Sequence, residues 1–118
     1  MKNKAPKEET PRRVTFEITT RRPLAVGQQV FISGSIDMLG NWEPDGFPLT
    51  RVDDNLWKGL MIIDPDVAFE FKITRGTWDS EEVAKDKMIL PENIRIEAGR
   101  KPETFRRTVY GWLDDLRD

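Results

Sequence analysis

Hydrophobic and polar residues alternate with a period of two along much of this chain. The alternation covers residues 14–19, and it is clearest over residues 68–74, where Phe69, Phe71 and Ile73 share one face. Successive side chains of a strand point to opposite faces of the sheet. Both segments are therefore predicted to be strands that bury one face.

Further short strands are predicted at residues 29–34, 48–51, 56–63, 94–97 and 105–112. Clusters of turn-forming residues separate them, for example at 41–46 and 64–66. The stretch 80–87 is predicted to form one helical turn or a loop. With no long helical pattern, seven to eight short strands at a spacing of about 8–12 residues predict an all-β fold, an antiparallel β-sandwich.

The length of the chain fits one domain of 118 residues, 37% of them hydrophobic, which is enough for a single core. Residues 1–13 are charged and contain proline, so they are predicted to be a disordered leader or a linker. The sandwich is predicted to span residues 14–113, and residues 114–118 are predicted to be a tail.

Charge and composition exclude several classes of function. The net charge of −2 argues against nucleic-acid binding, and no apolar run reaches the ~18 residues of a membrane span. A signal-peptide core is also missing, which predicts a cytoplasmic protein if the chain is complete. The chain has no Cys and no His, so it cannot form a thiolate nucleophile or a Ser-His-Asp triad, and it lacks the commonest metal ligands.

The remaining catalytic and metal chemistries are weakly supported. Acidic residues are abundant, so carboxylates for glycoside hydrolysis carry little information. The acidic turns at 53–55 and 64–66 lack the ligand spacing of a calcium loop. We therefore expect no catalysis, no metal and no cofactor.

The four tryptophans are more informative than the charges. Trp42 lies in a turn-forming cluster at 40–46, and Trp78 follows the predicted turn at 75–77. A tryptophan on a loop serves either as a partial anchor for the core or as a platform for a ligand. Two of them, with Lys72 pointing outward on the strand that leads to Trp78, favour a platform. A sugar ring, with its apolar C–H face and polar rim, would match that surface.

An ordered set of short motifs resembles the starch-binding domain, the family-20 carbohydrate-binding module. The motifs are VFISGSIDMLGNWEP at residues 30–44, then PL at 48–49, NLWK at 55–58, FEFKI at 69–73, Trp78 and PEN at 91–93. Related glycogen-binding modules share the sandwich and part of this pattern. The resemblance implies an immunoglobulin-like β-sandwich that binds α-1,4-glucans and performs no reaction.

The resemblance also implies which residues form the site. In that family the Trp of LGNW, the Lys of the EFK strand, the Trp after it and a downstream Asn form one site, and an acid often follows the second Trp. The matching residues here are Trp42, Lys72, Trp78, Asn93 and Asp79.

A second site usually relies on tyrosines that this chain lacks. Trp57 is the remaining candidate for that site, although a tryptophan within a strand more often belongs to the core. The expected partners are an α-glucan or maltooligosaccharide and a covalently linked catalytic domain, and the module is expected to be monomeric. The alternative function is a protein-interaction or regulatory sandwich that has lost sugar binding.

Overall fold

The computed structural model describes residues 10–85 and 89–117, and for residues 116 and 117 only the backbone. Ten strands are present in these ranges: β1 (Arg12–Thr20), β2 (Phe31–Gly34), β3 (Phe47–Pro48), β4 (Thr50–Asp53), β5 (Leu56–Ile63), β6 (Phe69–Thr74), β7 (Glu82–Val83), β8 (Ile94–Ile96), β9 (Glu103–Val109) and β10 (Gly111–Trp112). Three short 3₁₀ helices accompany them, Asp37–Leu39, Trp78–Ser80 and Leu113–Arg117. No helix in the described ranges is long and apolar enough to cross a membrane.

The strands form two four-stranded sheets around one core. One sheet has the order β4-β5-β1-β9 and the other β3-β2-β6-β8, while β7 and β10 form a separate pair. This confirms the predicted all-β sandwich, in which seven of the described strands have three or more residues. The pairing is antiparallel throughout, except that β1 and β9 run parallel over seven paired positions.

Aromatic rings from both sheets fill the centre of the core. Phe16 of β1 and Phe71 of β6 are fully buried, and their ring centroids lie 5.2 Å apart in an edge-on arrangement. Phe105 of β9 meets Phe71 at 5.0 Å in the same geometry. Such edge-to-face pairs add to the stabilisation from burial alone. The inward faces predicted from the period-two pattern therefore hold the two sheets together.

Regular structure continues past both ends of the predicted range 14–113. Strand β1 begins at Arg12, whose buried guanidinium donates hydrogen bonds of 2.7 Å to the carbonyl oxygens of Glu97 and Lys101. Residues 12 and 13 therefore belong to the sandwich, while residues 1–9 of the predicted leader lie outside the described residues. The predicted tail forms the last 3₁₀ helix, where Asp114 pairs with Arg75, and residue 118 lies outside the described residues.

Two predicted strands are each divided into two elements. The segment 48–51 changes sheets at Leu49, because β3 pairs with β2 and β4 pairs with β5 on the other side of the core. The segment 105–112 breaks at Tyr110 between β9 and β10. Within the stretch 80–87, residues 82 and 83 form β7, which pairs with β10, and residues 86 and 87 lie outside the described residues.

Candidate functional site

Trp42 and Trp78 lie side by side on neighbouring loops. Their ring centroids are 6.5 Å apart and their planes are tilted by 44°. Trp78 keeps 37% of its surface exposed, and Trp42 is half-buried. We call this pair the tryptophan cleft. The structure therefore brings together the two aromatic residues that the sequence singled out.

The loop that carries Trp42 closes tightly on itself. It starts with the 3₁₀ helix Asp37–Leu39, in which Leu39 is fully buried and fixes the loop to the core. Gly40 and Gly46 then bring two backbone segments into contact. A Cβ on Gly46 would lie 2.1 Å from the carbonyl oxygen of Leu39, so only glycine fits there.

The backbone at Trp42 is in a strained conformation. Asn41 and Trp42 have φ values of 50° and 70°, a region that bulky residues rarely adopt. Two hydrogen bonds hold it: the Trp42 N–H donates to the Gly34 carbonyl at 2.8 Å, and Asn41 Nδ2 donates to Asp37 Oδ1 at 2.6 Å. Strain of this kind persists where the surroundings enforce it, often at binding sites.

The loop that carries Trp78 is held by its own hydrogen bonds. Gly76 has a φ of 113°, which turns the chain away from β6. Ser80 is buried, and its hydroxyl donates to the Thr77 carbonyl at 2.9 Å and accepts from the Thr77 hydroxyl at 2.9 Å. Trp78 therefore sits on a rigid one-turn helix.

One buried hydroxyl joins the two loops. Thr74 is fully buried at the end of β6, and its Oγ1 donates to the carbonyl of Pro44 at 2.6 Å. The same oxygen accepts a hydrogen bond from the N–H of Gly76 at 2.9 Å. Since Pro44 follows Trp42 and Gly76 precedes Trp78, Thr74 fixes the spacing between the two ring-bearing loops.

Lys72 lies on the outward face of β6, as predicted, but it is already paired. Its Nζ lies 2.6 Å from Oε2 of Glu81, and only 17% of the lysine side chain is exposed. The next residue, Glu82, accepts a hydrogen bond of 2.7 Å from Arg107. Burial raises the pKa of Glu82 above its ordinary value, and the Arg107 guanidinium opposes that rise. Lys72 is thus a positioned donor whose charge is balanced by Glu81.

Asn93 and Asp79 lie on the surface near these elements. The Asn93 amide donates to Oε1 of Glu70 at 3.1 Å, which places it beside the strand that carries Lys72. Asp79 follows Trp78 in the exposed 3₁₀ helix, where it has polar or charged contacts of its own. The sequence-predicted set therefore belongs to β6 and to the loops beside it.

Trp57 does not form a second site. The ring lies in the core with 2% of its surface exposed, and the Arg51 guanidinium covers it at 5.4 Å from the ring centroid. A sugar ring could not stack on a ring that is covered in this way. Trp57 therefore lies in the core, as a tryptophan within a strand more often does, and its ring is not accessible as the possible second site.

Two residues of this region were missed from the sequence. Thr74 ends the predicted strand 68–74 and was not singled out, although a hydroxyl shortly before a glycine turn is a signal for side-chain to backbone bonding. Glu81 lies nine positions from Lys72 in an irregular segment, so no spacing rule links the two. The two ring faces suit binding to a ligand with apolar faces, and β6 and its neighbouring loops also carry an ammonium, an amide and carboxylates.

Comparisons with known proteins bear on the family and the fold of this chain. The sequence model of a family described as the starch binding domain matches residues 11–98. An amylopullulanase from Thermoanaerobacterium thermosulfurigenes is 26% identical over 107 residues, which cover 88% of this chain and 6% of that protein. An α-amylase from Niallia circulans is 26% identical over 101 residues, which cover 86% of this chain and 8% of that protein. The chain thus spans less than a tenth of the length of these two relatives.

A solved structure supports the fold. The family 20 carbohydrate-binding module of a maltotetraose-forming amylase from Pseudomonas saccharophila STB07 superimposes with a TM-score of 0.57. The match covers 81% of this chain and 98% of that module, at 19% sequence identity. At that identity the likeness concerns the sandwich architecture.

Proposed function

This chain belongs to the starch-binding domain family of non-catalytic carbohydrate-binding modules, and we propose that the tryptophan cleft is its glucan-binding site. The observation that carries this proposal is the pair of half-exposed rings, 6.5 Å apart and tilted by 44°. Two flat rings at an angle follow a curved chain of α-1,4-linked glucose, whereas a coplanar pair would suit a flat ribbon.

Lys72 and Asn93 are proposed to supply the polar half of the interaction. Each glucose presents an apolar C–H face to a ring and a rim of hydroxyl groups to the side chains beside it. Lys72, held by Glu81, and Asn93, held by Glu70, are oriented donors that would hydrogen-bond this rim. Such bonds replace bonds to water, so they set the register of the sugar more than they add affinity.

The domain is proposed to have one glucan site. The tyrosines of the family's usual second site are absent from the matching loops, and the remaining candidate, Trp57, is buried. A single shallow cleft implies modest affinity, with a Kd of about 10–200 μM for a linear maltooligosaccharide.

We also propose that the module tethers a catalytic domain to its substrate. Two of its relatives are an amylopullulanase and an α-amylase, of which this chain matches 6% and 8%. A module of this size in a longer enzyme would raise the local concentration of glucan at the active site. Sequencing the complete reading frame tests this part directly.

Calorimetry with maltoheptaose tests the glucan site. Maltoheptaose should bind in the stated range, cellohexaose far more weakly, and β-cyclodextrin should compete. Trp78→Ala should weaken maltoheptaose binding by ~10–100-fold, as expected for an aromatic hot spot. Ile62→Ala is the matched control, because Ile62 on β5 exposes 41% of its surface and Trp78 exposes 37%. Truncating Ile62 should leave maltoheptaose binding unchanged.

Two results would overturn the proposal. If wild-type protein binds no maltoheptaose at millimolar concentration and is not retained on insoluble starch, the sandwich has lost sugar binding and serves as an interaction module. If Trp78→Ala folds and binds at full strength, the glucan site lies elsewhere on the domain.

A further inference from the structure

A second concave surface has Arg75, three residues before Trp78, in its lining. It is a cavity of about 480 Å³, between the end of β1, the segment after it, and the β9–β10 connection. Its polar and aromatic lining includes Arg21, Arg22, Arg75, Tyr110, Trp112 and Asp115. Neither ring of the tryptophan cleft is part of this lining. The cavity therefore has a chemistry of its own.

Positive charge dominates the rim of this cavity. Arg21 and Arg22 both line it although they are neighbours in sequence, because the chain bends at these two positions. Within residues 10–85 and 89–117, neither has a carboxylate at ion-pair distance. Arg75 differs, since its guanidinium pairs with Asp114 and lies 3.7 Å from Asp115. Two unpaired guanidinium groups on one rim attract an anion.

The walls of the cavity also hold unused hydrogen-bonding groups. Thr20 Oγ1 and Arg75 Nε are buried, and neither has a hydrogen-bond partner in the described part of the chain. Buried polar groups are nearly always paired, so two exceptions in the lining of one cavity are unusual. Both atoms are enclosed by the protein, so the exposed guanidinium groups of Arg21 and Arg22 are the groups available to a ligand in the cavity.

The aromatic residues of the lining indicate what else the ligand carries. Tyr110 exposes 36% of its surface, and Lys85 lies 5.6 Å from its ring centroid. Trp112 is mostly buried and holds Arg75 against its ring at 5.3 Å. An apolar wall beside a basic rim suits a ligand that joins an anion to a ring with an apolar face. The cavity volume lies within the usual range for small-molecule sites.

We propose that this cavity binds the phosphate monoester of a sugar. A guanidinium presents a planar fork of N–H donors that matches phosphate oxygens in pairs, and two such groups satisfy a doubly charged monoester. Tyr110 would contact the sugar ring. The monoester comes either from a free sugar phosphate or from a phosphorylated glucan lying on the tryptophan cleft, and this second source rests on the proposed glucan site.

Calorimetry with glucose 6-phosphate, glucose and inorganic phosphate tests the proposal. Glucose 6-phosphate should bind at least tenfold more tightly than glucose, and inorganic phosphate should compete with it. The double variant Arg21→Gln/Arg22→Gln should weaken glucose 6-phosphate binding at least tenfold and leave maltoheptaose binding unchanged. Arg13→Gln/Arg106→Gln removes the same charge from exposed positions on β1 and β9, outside the cavity lining, and should have little effect.

Several outcomes separate the proposal from simpler explanations. If glucose 6-phosphate binds no better than glucose, or if both double variants weaken it equally, the cavity is not a phosphate site. Both of these readings are independent of maltoheptaose binding, so they do not depend on the glucan site.

Phosphorylated amylopectin, before and after treatment with a phosphatase, identifies the source of the monoester. If the wild-type protein binds amylopectin more weakly after dephosphorylation and Arg21→Gln/Arg22→Gln does not, the glucan is the source of the monoester. Unchanged amylopectin affinity together with tight glucose 6-phosphate binding assigns the free sugar phosphate. If dephosphorylation lowers the amylopectin affinity of wild type and of the double variant equally, and glucose 6-phosphate does not bind, the proposal is overturned.

Discussion

The four tryptophans form two pairs with opposite surroundings. Trp57 and Trp112 expose 2% and 6% of their surface, and each ring is covered by a guanidinium, from Arg51 at 5.4 Å and from Arg75 at 5.3 Å. Trp42 and Trp78 lie on loops and face each other at 6.5 Å, with their outer surfaces open to water.

In this chain the two tryptophans on strands are buried, and the two on loops are partly exposed. Trp57 and Trp112 belong to strands, where the ring is directed into the sandwich and the backbone needs no special conformation. Trp42 is held at a positive φ, and Trp78 lies in a one-turn helix after a glycine, so both backbones depend on the surrounding hydrogen bonds. The buried pair stabilises the fold, whereas the exposed pair depends on the fold for its geometry.

The largest effect is expected at the buried pair. Trp57→Ala removes a large side chain from the core and leaves an unfilled volume, so it should lower the free energy of unfolding by about 3–5 kcal/mol. Urea unfolding measures this, and maltoheptaose binding per folded molecule should remain unchanged. If Trp57→Ala lowers the free energy of unfolding by less than about 1 kcal/mol and abolishes maltoheptaose binding, Trp57 belongs to the binding site and not to the core.

A smaller effect on stability and a clear one on binding are expected at Thr74. Thr74→Val keeps the shape of the side chain but leaves the Pro44 carbonyl and the Gly76 N–H without their shared partner. We expect a loss of about 1–3 kcal/mol in stability and weaker maltoheptaose binding.

The reference variant is Thr74→Ser, which retains the hydroxyl and should retain binding. Near-ultraviolet circular dichroism reports directly on the coupling between the Trp42 and Trp78 rings, and Thr74→Val should reduce that signal. An unchanged spectrum and unchanged affinity in Thr74→Val would mean that the two loops hold their spacing without this residue.

Two variants, Trp42→Ala and Trp42→Gly, test the backbone strain at Trp42. Trp42→Ala and Trp42→Gly both remove the ring and should both weaken maltoheptaose binding. Only glycine adopts a φ of 70° without a steric penalty, so Trp42→Gly should be about 1 kcal/mol more stable than Trp42→Ala. Thermal unfolding of the two variants gives the difference, and equal stability would show that the backbone relaxes when the ring is removed.

The smallest expected effect is the contribution of Glu82 to the pH dependence of stability. Burial raises the pKa of Glu82, so the folded state holds this proton more tightly than the unfolded chain does. The stability that this group adds when protonated is lost as the pH rises from 4.5, its ordinary pKa, through the raised value. Relative to Glu82→Gln, wild-type protein should therefore lose stability in urea unfolding as the pH rises above 4.5. A relative gain over that range would contradict the burial of this carboxyl.

The bounds that the sequence predicted best are those of the mostly apolar run that forms β5 and of the alternating segment that forms β6. The predicted bounds of β5 match Leu56–Ile63, and β6 begins at Phe69, one residue after its predicted start. The break at Leu49 was not predictable, because both neighbouring segments are extended and only the pairing partners change. The two-residue strands β7 and β10 are too short to show any period.

Only those features of the candidate site that depend on neighbouring residues in the sequence were predictable. Turn-forming residues around Trp42 and before Trp78 showed that both rings lie on loops. Their distance from each other depends on Thr74, a contact across 30 positions to Pro44. The ion pair of Lys72 with Glu81 likewise depends on how the chain packs after β6, which no residue pattern encodes.

The parallel pairing of β1 with β9 has a mechanical consequence for a module attached to a polymer. Force that enters at Arg12 and leaves at Val109 pulls these two strands in opposite directions along their length, because both strands run the same way. The seven paired positions are then loaded together in shear, whereas an antiparallel hairpin pulled at its ends opens one pair at a time. A tether built on this ladder would resist extension until the whole ladder breaks at once.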